Sequence, residues 1–235
     1  MKDIFALIRE RQSARTSFDP QRPVPKNDVR KILESAAWSP TAHNMQNFEV
    51  IVVDDRDILA RMGAIKTSLS VDFIKENYEQ LSFSEKELRK KKTGLLGLMF
   101  PPSWRDPKGL DMEKIKKESG PSFLKDTLRG GPTVMIVTYD PRKRAPASGG
   151  DVLGFISLGC VMENMWLAAQ ALGIGVHIMS VFSSDTVEQE LKKILNMPAH
   201  LKIAFAVRLG YPASGPANYL RVRRDVEDFA RYNGY

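Results

Sequence analysis

The sequence is poor in the residues from which disulfide frameworks and metal sites are built. Its 235 residues include one cysteine, Cys160, and three histidines, His43, His177 and His200, which are isolated from one another. A single cysteine excludes an intramolecular disulfide and a cysteine-rich zinc site, and it suits a reducing compartment. Cys160 lies in an apolar stretch, where a thiol behaves as a small hydrophobic group. We therefore expect neither a metal site nor a cysteine nucleophile.

Two common nucleotide-binding motifs are also missing. The sequence has no Gly-x-x-x-x-Gly-Lys-Ser/Thr phosphate loop and no Gly-x-Gly-x-x-Gly fingerprint, because Gly173-Ile-Gly175 stops short of the latter. The first eleven residues mix acidic and basic side chains, and no stretch approaches about 18 uncharged apolar residues. We therefore expect a cytoplasmic protein with neither a signal peptide nor a membrane span.

Positive charge is concentrated in one segment. The chain carries a formal net charge of +7, and residues 86–130 hold twelve Lys or Arg against six acidic residues. The remainder is nearly neutral, so the charge is weak support for a general nucleic-acid-binding surface. Aromatic residues do not interleave with the basic runs as they do in many single-strand binders. We expect no nucleic-acid partner, and we interpret residues 78–130, the basic segment, as an inserted lid or as a merely solvated insertion.

The apolar spacing predicts a single domain over residues 1–235 in which helices and short buried strands alternate. The helix predicted at 154–172 is apolar nearly all the way round, which favours burial against a sheet and against a second subunit. The predicted helices cover residues 3–11, 26–38, 56–75 and 154–172, and the predicted strands cover residues 48–53, 133–139, 176–181 and 201–209.

Three polar clusters are candidates for binding an anionic ligand. The first, Arg11-Gln-Ser13-Ala-Arg15, places two guanidinium groups and a hydroxyl at a helix end, which suits a phosphate monoester, although cations there also complement the helix dipole. The second is Pro40-Thr-Ala-His-Asn-Met-Gln46, an amide-rich turn before a strand, or a plain Asx-type turn. The third is Arg221-Val-Arg223-Arg224 near the carboxy terminus, which is a phosphate-binding group or a solvated tail.

The order of these motifs resembles that of the nitroreductase family along essentially the whole chain. Arg11-Gln-Ser13-Ala-Arg15-Thr-Ser-Phe18 is similar to the family opening Arg-x-Ser-x-Arg-x-Phe, with the phenylalanine one position late. Ala37-Trp-Ser-Pro40-Thr-Ala-His-Asn44-Met-Gln46 resembles the next landmark, although the Pro-Trp pair that follows it in the family is missing. The central helix with its glycine turn, Glu163 to Gly175, and the stretch from Leu195 to Pro212 also resemble the family.

The resemblance implies an α+β fold with three α/β/α layers, a mixed but mainly antiparallel central sheet, and a homodimer that binds FMN. It also implies ping-pong oxidoreduction, in which NADPH or NADH reduces the flavin and leaves before a small electron-poor acceptor, such as a nitroaromatic or a quinone, takes its place. A non-catalytic flavin- or nucleotide-binding protein stays open as an alternative. So does a specialised reductive reaction on the same scaffold, such as dehalogenation or flavin fragmentation.

The resemblance also implies roles for particular residues. Arg11, Ser13 and Arg223 would hold the phosphate, and Arg15 would lie at the pyrimidine edge of the flavin, where a cation stabilises the reduced form. Asn44 would contact ribityl or ring atoms, and Gly175 would let the backbone approach the ring or would end the preceding helix. The full predicted cofactor set is Arg11, Gln12, Ser13, Arg15, Pro40, Thr41, Ala42, Asn44, Gln46, Gly175 and Arg223.

Overall fold

The computed structural model describes residues 3–67, 76, 82–96, 123–129, 132–213 and 220–234. Contacts divide the chain into two compact units, Met1–Lys66 with Ser122–Ala217 and Thr67–Pro121 with Asn218–Tyr235. The prediction of one domain stays a prediction. Most of the basic segment lies outside the described residues, and its interpretation as a lid stays a prediction as well.

A four-stranded sheet forms the centre of the first unit. Its strands are β1 (Glu49–Val53), β4 (Thr133–Tyr139), β5 (Gly175–Ile178) and β6 (Lys202–Gly210), in the order β1-β4-β6-β5. All three pairings are antiparallel, and a parallel bridge between Ser13 and Val176 makes the sheet mixed. The predicted α+β class with a mainly antiparallel sheet is therefore confirmed.

Helices cover both faces of this sheet. Successive side chains of β4 point to opposite faces. Met135 and Val137 lie in one core cluster with residues of the helices Lys26–Ala37 and Val152–Ala171, and Val134 and Ile136 lie in the opposite cluster with residues of the helices Arg56–Gly63, Phe123–Leu128 and Asp185–Ile194. The result is the predicted three-layer arrangement. The helices of this unit are α1 (Ile4–Glu10), α2 (Lys26–Ala37), α3 (Arg56–Gly63), α5 (Phe123–Leu128), α6 (Val152–Ala171) and α7 (Asp185–Ile194).

Helix α6 is the central helix that the sequence predicts. One face is buried, and Val152, Phe155 and Ile156 lie exposed on another. Among the described residues, Gly149–Ala171 is the one helix long and apolar enough by composition to cross a membrane, with a mean hydropathy of 1.5 over an 18-residue window. The helix packs on α2 and on β5, however, as the core helix of a globular domain does. Its buried residues are Leu158, Val161, Met165, Trp166 and Ala169.

Two predicted elements are shorter than expected. Helix α3 ends at Gly63, where a side chain would come within 3.2 Å of the Lys125 backbone on α5, so a glycine there permits close packing. Residues 68–75 of the predicted helix lie outside the described residues. Strand β5 ends at Ile178, because the chain turns at Ser180–Ser183 to bury Phe182. Asp3 stands at the N-cap of α1 without a capping side-chain bond.

The second unit contains the short parallel strands β2 (Ser82–Phe83) and β3 (Leu95–Leu96) and the helix α4 (Glu85–Lys91). Ser84 and Glu87 form a capping box at the start of α4. Lys92, directly after α4, pairs with Asp225 and Asp228 of the carboxy-terminal stretch. This ion pair joins the two chain segments of the unit.

Candidate active site

Residues 11–18, the arginine loop, run along the edge of the sheet. The loop leaves α1 at Arg11, and the amide of Ala14 donates a hydrogen bond to the Val176 carbonyl on β5 at 2.7 Å. Farther on, Phe18 forms a bridge with Pro212 and is only 3% exposed. The loop is therefore anchored to β5 at its middle and to the residues that follow β6 at its end, although it is not part of a regular element.

Arg11 is held against α6. Its guanidinium carbon lies 4.4 Å from the centroid of the Trp166 ring, and its Nε lies 3.0 Å from a carboxylate oxygen of Glu163. A cation over an indole face is stabilised by the ring quadrupole. Trp166 is 7% exposed, and within the described ranges its indole N–H has no hydrogen-bond acceptor. A half-buried cation and a buried donor therefore meet where the resemblance predicts a phosphate.

Ser13 and Arg15 lie on either side of the buried Ala14. Ser13 is half-buried beside Val176, whereas Arg15 is exposed and Gln12 is half-buried. Burial, Arg208 and Arg15 together lower the pKa of His177 on β5 to about 4, so this imidazole is neutral at physiological pH. The Arg15 charge therefore acts on the sheet edge at which the predicted ligand would lie.

Gly175 has a packing role that the sequence did not reveal. A side chain here would come within 2.9 Å of the Ala14 Cβ and 3.0 Å of the Gly210 carbonyl oxygen, so glycine is needed for the arginine loop to lie against β5. The alternative role as a helix-ending glycine belongs to Gly173, whose φ is +72°. The structure thus brings Gly175 against the arginine loop next to Ser13, and its predicted contact with a flavin ring stays a prediction.

Residues 40–46, the amide loop, are fixed by hydroxyl groups. The Ala42 amide donates to the Ser157 hydroxyl on α6 at 2.9 Å, and the Gln46 amide donates to the Thr41 hydroxyl at 3.2 Å. The Gln46 side chain donates to the Asn44 carbonyl oxygen at 3.0 Å. Pro40, Asn44 and Gln46 are exposed, and Thr41 and Ala42 are half-buried. The loop therefore presents amide groups at the surface from a fixed backbone.

This backbone conformation is unusual for residues with side chains. His43, Asn44 and Gln46 have φ values of 52°, 52° and 46°, in the left-handed region that glycine and asparagine tolerate best. Such conformations persist where the surroundings fix them and are common at binding sites. A cavity of about 20 Å³ borders the loop, which is room for about one water molecule. A flavin would have to lie in a surface groove rather than in this cavity.

Helix α6 holds both loops, because Ser157 anchors the amide loop and Trp166 packs on Arg11. Nine residues separate these two positions, which is about 14 Å along a helix. Arg223 belongs to the second unit, where it is exposed and donates to the Val222 carbonyl at 2.7 Å. Its meeting with Arg11 at one phosphate stays a prediction. Among the described residues, no cluster of three or more His, Cys, Asp or Glu side chains could hold a metal.

Sequence reasoning missed Arg208 and His177. Arg208 is 4% exposed within β6, and its Nε donates to His177 Nδ1 at 3.0 Å. The signal was present, because an arginine interrupts the otherwise apolar run from Ile203 to Leu209. A cation at an inward position of a central strand needs polar partners, which the sequence does not identify.

The chain matches the sequence profile of the Nitroreductase family over residues 8–211. It is 24% identical over 213 residues to an Archaeoglobus fulgidus protein provisionally named an NADH dehydrogenase/NAD(P)H nitroreductase, with 90% of this chain and 87% of that protein covered. It is 20% identical over 232 residues to an NADPH-dependent oxidoreductase of Staphylococcus haemolyticus, with 99% of this chain and 74% of that protein covered.

Solved structures share the fold. A Bacteroides fragilis nitroreductase with bound FMN has a TM-score of 0.56 and 20% identity, with 95% of this chain and 96% of that chain covered. An FMN-dependent nitroreductase of Clostridium difficile has a TM-score of 0.60 and 16% identity, with 99% of this chain and 100% of that chain covered. With the profile match over most of the sequence, the chain belongs to the nitroreductase family.

Proposed function

We propose that the protein is an FMN-dependent oxidoreductase that passes hydride from NADPH or NADH through the flavin to an electron-poor acceptor, such as a nitroaromatic or a quinone. The observation that carries this proposal is the anchored arginine loop, which lies against Gly175 on the sheet edge with Arg11 packed on Trp166. The relatives named as NAD(P)H nitroreductase and FMN-dependent nitroreductase support the same reaction class.

The residues present fit the cofactor. Arg11 and Ser13 offer charged and hydroxyl donors for a phosphate, and the buried Trp166 N–H, which has no acceptor among the described residues, offers one more. Asn44 and Gln46 offer amides for ribityl or ring atoms, on a loop whose anchor at Ser157 lies about 14 Å along α6 from Trp166. Arg223 would add a second guanidinium for the phosphate. An elongated ligand with an anion at one end suits this arrangement.

In the proposed reaction, the protein binds the flavin and stabilises its reduced form. When bound, FMN supplies the two-electron carrier between donor and acceptor. Arg15 would keep a positive charge at the pyrimidine edge, which favours the reduced, anionic form because preorganised charge needs no rearrangement during the reaction. With no dinucleotide fingerprint in the sequence, the nicotinamide donor would bind over the flavin rather than in a domain of its own.

We further propose that a second copy of the chain completes the molecule. Large apolar side chains of α1 and of the first half of α6 are exposed, and apolar surface of this kind is typical of an interface between subunits. A homodimer would bury both surfaces. The exposed residues are Ile4, Phe5, Ile8, Val152, Leu153, Phe155 and Ile156. Sedimentation equilibrium tests this, because a monomer at all concentrations would contradict it. The cytoplasmic location stays a prediction.

Steady-state kinetics test the reaction. Initial rates with NADPH or NADH, measured against a quinone or a nitroaromatic, should give parallel double-reciprocal plots, because donor and acceptor take turns at one site. The variant Arg15→Met should lower the rate of donor oxidation more than it lowers FMN affinity. If the protein binds FMN but oxidises neither donor with any acceptor, it is a flavin-binding protein without this activity.

A further inference from the structure

Arg208 is the buried cation of the first unit that the proposed reaction does not use. It lies near the end of β6, between Val207 and Leu209, and its side chain crosses to the arginine loop. Burying a guanidinium is costly unless its N–H groups all find acceptors. The position of those acceptors therefore indicates what the residue does.

The acceptors are mostly backbone carbonyls of loops and helix ends. One terminal nitrogen donates to the Thr127 carbonyl on α5 at 2.9 Å. The other donates to the Thr16 carbonyl at 2.9 Å and lies 3.4 Å from the Ala14 carbonyl. The Phe18 ring packs against the guanidinium, with the centroid 4.5 Å from its central carbon. One planar group thus ties the arginine loop to α5 and to the sheet.

The two loop carbonyls flank Arg15. Fixing the peptides of Ala14 and Thr16 fixes the backbone on both sides of Arg15 and next to Ser13. The plane of the guanidinium is in turn set by His177, whose Nδ1 accepts from Nε. A protonated Nδ1 could not accept, and the pKa of His177, lowered to about 4 by burial and by the charges of Arg208 and Arg15, keeps that acceptor available.

We propose that Arg208, oriented by His177, is a positioning residue that presets the arginine loop so that Ser13 and Arg15 meet the cofactor without rearrangement. This inference rests on the proposed function for the identity of the cofactor, FMN. A loop that is already ordered loses less conformational freedom on binding, so positioning should appear as affinity. The rival explanation is a buried cation that only stabilises the fold.

The test compares Arg208→Lys and Arg208→Met with Lys202→Met, a control on the exposed start of the same strand. Lysine keeps the charge but cannot reach all the carbonyls at once. FMN affinity is measured by flavin fluorescence, and hydrogen exchange of the cofactor-free protein reports on the loop amides. We expect Arg208→Lys to weaken FMN binding about 10-fold or more. Exchange at residues 11–18 should accelerate while β4 stays protected, and the control should change neither readout.

The outcomes separate the two proposals. Unchanged FMN affinity in folded Arg208→Lys overturns the positioning role, even if the loop exchanges faster. Equal loss of protection in the loop and in β4 also overturns it, because that is the signature of a purely structural residue. If the wild type binds no FMN, the proposed function fails, and unchanged loop exchange in Arg208→Lys would then reject the anchor as well. If both Arg208 variants fail to fold, the test uses His177→Leu, which removes only the acceptor of Arg208 Nε. An unchanged FMN affinity in that variant rejects the proposal.

Discussion

A buried charge lies at each end of strand β6, and the two charges have different roles. At the start, Glu188 from α7 is 4% exposed and accepts from Lys192 at 2.7 Å, from Lys202 at 3.2 Å and from the Ile203 amide at 3.1 Å. At the other end, Arg208 is equally buried, but its partners lie in the arginine loop, in α5 and on β5.

The difference teaches that burial of a charge does not by itself mark a functional site. Glu188 joins a helix to a strand, both of which are regular elements with packing of their own. Arg208 orders a loop that has no regular hydrogen-bond ladder, and that loop carries the candidate cofactor residues. The partners of a buried charge, rather than its burial, indicate whether its loss will affect stability or binding.

The largest expected effect is at the Glu188 end. Replacing Glu188 with alanine removes the buried carboxylate that Lys192 and Lys202 share, so the free energy of unfolding in urea should fall by about 3 kcal/mol. FMN affinity should stay within about 2-fold of wild type in the folded fraction. If Glu188→Ala is as stable as wild type but no longer binds FMN, Glu188 acts on cofactor binding rather than on stability, and the comparison between the two ends of the strand is wrong.

On acidification, the groups at the two ends of β6 should lose their contributions to stability at different pH values. The His177 pKa falls from 6.5 to about 4 on folding, chiefly because of burial, so the folded state binds fewer protons than the unfolded state between these values. Its stabilising contribution is complete above pH 6.5, and on the order of 2 to 3 kcal/mol of it is lost by pH 4.5. Urea unfolding of wild type and of His177→Asn across this range measures the loss. The difference between them should change with pH, and a constant difference would contradict the assignment.

Glu188 should respond at lower pH. Burial raises its pKa, but hydrogen bonds from Lys192, Ile203 and Lys202 outweigh this, and the net pKa is lowered. Its contribution is therefore present above the ordinary glutamate pKa and is lost as the pH falls below it. The His177 end should weaken first on acidification.

A methyl group at Gly175 should disturb the loop side of the sheet. The added Cβ would come within 3.0 Å of Ala14 and of the Gly210 carbonyl, and such overpacking costs about 2 kcal/mol. We expect Gly175→Ala to lower the thermal midpoint and to weaken FMN binding. Gly149→Ala, where a side chain meets nothing within 4 Å, is the matched control and should do neither. Equal behaviour of the two variants would refute the packing role.

The smallest expected effect is at the amide loop. Ser157→Ala removes the acceptor of the Ala42 amide, and the loss of one such hydrogen bond costs about 1 kcal/mol. FMN binding should weaken a few-fold, less than in Arg208→Lys, because the Thr41 hydroxyl still holds Gln46. Fluorescence titration of both variants ranks the two anchors, and a larger effect of Ser157→Ala would show that the amide loop dominates cofactor binding.

Much of the fold could be predicted from the sequence because burial follows local patterns. The predicted bounds of strand β4 match the observed ones, since a mostly β-branched apolar run favours a buried strand, and α2 differs by one residue. The ends of α3 and β5 were missed, because Gly63 and Phe182 act through neighbours distant in sequence. The arginine loop was found by its motif, whereas its anchor was not, since the partners of Arg208 lie 31 to 194 residues away.

The most direct test of the proposed reaction is the visible absorbance spectrum of the purified protein, recorded without oxygen before and after addition of NADPH. Flavin bands that are present, or that appear in a tight complex when FMN is added, and that bleach with NADPH are the predicted result. A colourless protein that does not bind added FMN, or a bound flavin that neither NADPH nor NADH reduces, would contradict the proposed function.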